Sequence, residues 1–130
     1  MARYHPLTRI APGERLPRAA EVERETLALA RRALTLAYDC GRLPRGDPEF
    51  TRVRREVTAA RRQLATRLRE LQALAAGEAR LDLHEQLNAR LWSIYNAVPG
   101  ELAAASDAEL RRVRQLVMKT IEWFGQRTAG

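Results

Sequence analysis

Four stretches of the chain repeat apolar residues at intervals of three and four, the period that gathers side chains on one side of an α-helix. Over about residues 20–39 the stripe is Leu27, Ala30, Leu34, Ala37 and Tyr38; over 48–76 it is Val53, Val57, Ala60, Leu64, Leu68 and Leu71. Over 80–97 it is Leu83, Leu87, Leu91 and Ile94, with Val98 just beyond, and over 106–125 it is Leu110, Val113, Val117, Ile121 and Phe124. Ala, Leu, Arg and Glu, all good helix formers, dominate the composition. The expectation is four helices and no strand.

Local chemistry predicts where these helices begin and end. Asp47 followed by Pro48 and Glu49 is an N-cap with proline in the first helical position. Ser106, Asp107, Ala108 and Glu109 read as a capping box, the hydroxyl of Ser106 and the carboxylate of Glu109 satisfying each other's backbone donors. Glu21, Glu23 and Glu25 crowd the first turns of the first helix, where negative charge meets the helix dipole. Gly41, Pro44 and Gly46 mark a loop, Gly77 a left-handed stop, Pro99 and Gly100 the end of the third helix, and Gly125 the end of the fourth.

Residues 1–19 follow a different rule. Pro6, Pro12 and Pro17 each remove a backbone donor and push the preceding residue out of the α region, so no helix is expected there. Tyr4, Leu7, Ile10 and Leu16 are spread along this segment, as in a strap with apolar anchors for a neighbouring subunit. Fully extended, nineteen residues reach roughly 60 Å. The predicted fold is therefore all-α, an extended N-terminal arm (1–19) followed by a four-helix, bundle-like domain (20–130). At 130 residues the chain has room for one such domain and not two. Leu116 and Trp123 widen the apolar face of the last helix, and serve either a subunit contact or deeper burial in the same core.

Charge changes the picture more than composition does. The chain carries a net +7, and 22 of its 23 basic residues are arginine. Seven of them (Arg52, Arg54, Arg55, Arg61, Arg62, Arg67 and Arg69) lie within 52–69 beside one acid, Glu56. With Val57 at zero on a helical wheel, the apolar stripe of this segment stays within roughly 60° of it. Arg52, Arg55, Arg62 and Arg69 fall at about 120–220°, while Arg54 and Arg61 flank the stripe at about 40–60°. A planar, forked, permanently charged guanidinium matches phosphate oxygens two at a time, so the opposite face suits a polyphosphate backbone. Arg3, Arg9, Arg15 and Arg18 make the arm basic as well.

Other chemistries find little purchase. Phosphate-loop, dinucleotide, serine-hydrolase and zinc-protease signatures are absent, so no catalytic residue, cofactor or metal site is expected. His5 and His84 are far apart, and His84, beside Asp82 and Glu85, reads as a solvent-facing residue near a helix start. The lone cysteine, Cys40, reads as a small buried residue at a helix end. An almost purely arginine face favours phosphates over base edges. Aromatics are 5% of the chain and none interrupts the arginine run, so no stacking platform for single strands is expected. No apolar run is long enough for a transmembrane helix and the N-terminus has no signal-peptide core. Sparse Asn and Cys with abundant charge lean toward a thermophilic source.

One segment carries a resemblance. Ser93-Ile94-Tyr95-Asn96-Ala97-Val98-Pro99, followed by Leu102, is similar to a Ser-x-Tyr-Asn-Ala-x-Pro string before the last helix of coat proteins from rod-shaped and filamentous viruses of hyperthermophilic archaea. The overall layout, a proline-punctuated arm and then a small bundle, is similar too, although this chain is richer in charge than the rod-shaped members. The resemblance implies a structural capsid protein of the virion nucleocapsid. In that family many copies wrap linear double-stranded DNA in the A-form within a helical filament. It also implies partners beyond DNA: further copies of the chain, in some members a second related coat protein, and in some a lipid envelope. The residues by themselves support a sequence-independent nucleic-acid binder using Arg52, Arg54, Arg55, Arg61, Arg62 and Arg69 with the arm. They leave open a cytoplasmic alternative: a small architectural DNA- or RNA-binding dimer, or a helical adaptor for an acidic protein.

Overall fold

The computed structural model describes residues 17–77, 81–98 and 107–129, and these form four helices. They are α1 (Pro17–Gly41), α2 (Pro48–Ala76), α3 (Leu81–Ala97) and α4 (Ala108–Ala129), with no strand among the described residues. The all-α, bundle-like expectation holds.

Pairings along the helices give their directions. Thr26 Oγ1 donates to the carbonyl of Arg67 at 3.5 Å and Cys40 Sγ lies 3.7 Å from the carbonyl of Phe50, so α1 and α2 run antiparallel. Asn88 faces Gly125 and Arg114 lies over Tyr95, so α3 and α4 are antiparallel as well. Arg54 and Arg61 meet Asp107 and Glu109 in rising order, which sets α4 parallel to α2. The fold is therefore two antiparallel pairs laid side by side. Although consecutive in the chain, α2 and α3 sit across the bundle with only slight contact.

All the central stripe positions are buried in one core: Ala30, Leu34 and Ala37 of α1; Val57, Ala60, Leu64, Leu68 and Leu71 of α2; Leu87, Leu91 and Ile94 of α3; Leu110, Val113, Val117, Ile121 and Phe124 of α4. Leu27, Tyr38, Val53 and Val98 pack half-buried at its edge. Val22, Ala33, Cys40, Phe50 and Ala75 also join the core. Cys40 is fully buried at the end of α1, as expected.

Several boundaries differ from the expectation. The first helix begins at Pro17, so Pro17, Arg18 and Ala19 belong to α1 and not to the arm. A proline that blocks a helix interior suits the first turn, where its missing N–H has no partner to lose. The shift leaves no acid in that first turn, and α1 also continues through Gly41. Asp47 and Pro48 do open α2: the Asp47 carboxylate accepts from the Glu49 amide at 2.9 Å. Gly77 closes α2 in a right-handed conformation (φ −83°, ψ −2°), not the left-handed one. α4 is capped by Asp107, whose Oδ1 accepts from the Glu109 amide at 2.7 Å. It then runs through Gly125 to Ala129. The Glu109 side chain turns toward arginines, as described below, and the expected partner Ser106 lies outside the described residues. So do the expected anchors Tyr4, Leu7, Ile10 and Leu16, together with Arg3, Arg9 and Arg15.

Candidate nucleic-acid interface

α2 is the longest element, 29 residues or about 43 Å, because no breaker interrupts a strongly amphipathic run. Its seven arginines divide into two groups. Four are committed to carboxylates. Arg52 is held between Glu49 (2.7 Å) and Glu56 (2.5 Å), and Arg67 between Glu70 (3.0 Å) and Glu25 of α1 (3.5 Å). Arg54 Nε donates to Asp107 at 2.8 Å and Arg61 Nε donates to Glu109, both at the start of α4. The Arg61–Glu109 pair is the more buried, with side chains 22% and 6% exposed.

These pairs act on titration. The Arg52 guanidinium, hydrogen-bonded to Glu49, holds that carboxyl below its usual range. At Asp107 burial opposes ionisation, but hydrogen bonds from Arg54 and the amides of Glu109 and Leu110, with the Arg54 charge, together prevail and lower its pKa. Burial raises the pKa of the Cys40 thiol, with the Asp107 charge adding and Arg54 opposing.

The second group is Arg55, Arg62 and Arg69. All three are exposed, and none has a carboxylate partner among the described residues. They recur every seven residues, so about 10.5 Å separates neighbours and about 21 Å the outer two. The exposed residues between and just beyond them are Ala59, Gln63, Thr66 and Ala73, short or uncharged, while the bordering acids Glu56 and Glu70 are half-buried and paired with Arg52 and Arg67. Such a surface lets an anionic rod approach the helix closely. Of the six α2 arginines expected to bind nucleic acid, the fold thus leaves three facing outward without an acid. It uses Arg54 and Arg61 to join α2 to α4 and neutralises Arg52 locally. Arg18 lies in the first turn of α1.

Other expected residues also find places. Leu116 and Trp123 are half-buried against the core, and Trp123 packs edge-on against Phe124 (4.9 Å between ring centroids) beneath Arg127. His84 is buried, not solvent-facing, with its ring 5.8 Å from Phe124 and 6.4 Å from Trp123. Its position directly after Leu83 at the edge of the α3 stripe was the signal for this. No group of His, Cys, Asp and Glu that could hold a metal ion occurs among the described residues. No helix among them is long and apolar enough to cross a membrane.

Fold and surface together define a class: an all-α bundle of two helical pairs presenting a stripe of arginines without carboxylate partners among the described residues. No protein-family model matches the chain, and no curated protein or solved structure matches it significantly.

Proposed function

We propose that this protein is a non-enzymatic, sequence-independent binder of duplex nucleic acid that packages it by covering its phosphate backbone. The observation that carries the reading is the stripe of Arg55, Arg62 and Arg69, exposed, seven residues apart and without a carboxylate partner among the described residues. Fixed guanidinium charges at that spacing attract a polyphosphate regardless of its bases. The similarity of residues 93–99 to archaeal rod-shaped and filamentous virus coats supports the finer form of the proposal. In that form the chain is a virion coat protein, acting in many copies on linear double-stranded DNA.

Affinity for duplex DNA should then fall steeply with salt, with a log–log slope of about −0.9 per contacted phosphate. Replacing Arg55, Arg62 and Arg69 together by Ala should flatten that slope by roughly two to three units, equally for unrelated sequences. The side chains are exposed, so helicity by circular dichroism should not change. An unchanged slope would give this face to an acidic protein partner instead.

A further inference from the structure

α3 and α4 form a second basic surface, made of residues the duplex face does not use. Between them lies an open groove of about 490 Å³ lined by Tyr95 of α3 and by Arg111, Arg114, Met118 and Lys119 of α4, with Glu122 its one acid. The Arg114 guanidinium lies 4.4 Å from the centre of the Tyr95 ring, and its Nε is buried without a hydrogen-bond partner. Trp92 stands edge-on to Tyr95, with 6.0 Å between ring centroids and an interplanar angle of 86°. It is 41% exposed, the one exposed large hydrophobic side chain among the described residues.

Trp92 presents an exposed aromatic face next to Tyr95, whose own ring is covered by Arg114. Bases stack on such rings whatever their identity, while arginine and lysine hold the flanking phosphates. The geometry points to the α3–α4 groove and its margin as a binding site for single-stranded nucleic acid, one base stacking on Trp92, which stands outside the groove against its lining residue Tyr95, and the backbone running past Arg114 and Lys119. Sequence order conceals this platform, because its aromatic residues precede its cations by about twenty positions and only the antiparallel packing of α3 on α4 joins them. The inference goes beyond duplex binding and stands on separate residues. A packaging protein with both surfaces would hold duplex along α2 and capture unpaired ends or displaced strands at α3–α4.

The test uses the full chain with Trp123→Phe, leaving Trp92 as the only tryptophan fluorophore. Titration with an oligo-dT should quench Trp92 saturably, and an abasic oligomer of the same length should bind about five- to a hundred-fold more weakly, as expected for one lost stack. In the otherwise unchanged chain, Trp92→Ala should weaken oligo-dT binding by a similar factor and leave duplex affinity unaltered. The triple alanine replacement on α2 should weaken duplex binding and leave the saturable quenching of Trp92 by oligo-dT in place, so either surface can fail alone. Equal binding of the abasic oligomer, or oligo-dT binding by the triple-alanine variant that survives the addition of Trp92→Ala, would overturn the proposal. So would quenching by poly-glutamate but not by oligo-dT, which would assign the groove to an acidic protein.

Discussion

Asp107 has two roles at the start of α4. One carboxylate oxygen caps the helix by accepting from the Glu109 amide, and the other accepts from Arg54 of α2. Burial works against its charge, yet these donors hold its pKa below the ordinary value. A carboxylate with a depressed folded-state pKa adds stability that is present above its unfolded value of about 4 and is lost as pH falls through the folded value. Asp107→Asn keeps an acceptor for the cap and removes the charge. Thermal melts should show the variant less stable than the parent near pH 7 and the gap narrowing as pH falls below about 4 and through the lowered folded-state value, where the parent carboxylate itself takes up a proton. A gap of constant size would mean that the Arg54 pair adds nothing. At Cys40, burial first and then the same Asp107 charge disfavour the thiolate, in keeping with an inert core residue.

Glycine and arginine show at the level of elements how context overrides a local rule. A glycine ends a helix when the chain beyond it has somewhere better to go. Gly125 has helix on both sides: Phe124 is seated in the core, and Arg127 lies 4.0 Å over the Trp123 ring one turn back, a contact that only continued helix allows. A Cβ at position 125 would meet only Asn88 Nδ2 at 3.7 Å, an ordinary contact. Gly125→Ala should therefore stabilise the protein by about 0.5–1 kcal/mol through helix propensity, read as a rise in melting temperature. A fall would show that the Asn88 contact is tighter than its distance implies. On α2, Thr58 and Thr66 turn their hydroxyls back to the carbonyls of Arg54 and Arg62 (3.1 and 3.2 Å), which keeps them low between the arginines. The outer face thus stays open between the arginines while Arg54 and Arg61 secure α4.

For the whole molecule, the size of the arginine face bears on assembly. Duplex DNA carries one negative charge per roughly 1.7 Å of axis, so the stretch beneath Arg55–Arg69 holds about a dozen phosphates. On the proposed reading, one copy would offer that stretch the three guanidiniums of Arg55, Arg62 and Arg69, and neutralising the duplex would require several copies around and along it. Electron microscopy of the protein mixed with linear duplex DNA should show continuous filaments of uniform width, and no filaments without DNA. Isolated particles at saturating protein would favour a discrete architectural dimer over a coat.

Helix number and the buried face of each helix could be read directly in the sequence, because both depend on periodicity within some twenty residues. The start of α2 was equally legible, since Asp47 and Pro48 act on their own next turn. The division of labour among the arginines was not. Arg54 and Arg61 differ from Arg55 and Arg62 by one position each, and what separates them is whether a buried carboxylate from another helix stands opposite. Asp107 and Glu109, which supply those carboxylates, lie 53 and 48 residues away, and no local rule pairs them. Burial of His84 and assembly of the Trp92–Tyr95–Arg114 surface have the same origin, since each needs α3 laid antiparallel on α4. Apolar period specifies which side of a helix faces inward, whereas the polar residues at the margin of that side are assigned only by the neighbouring helix.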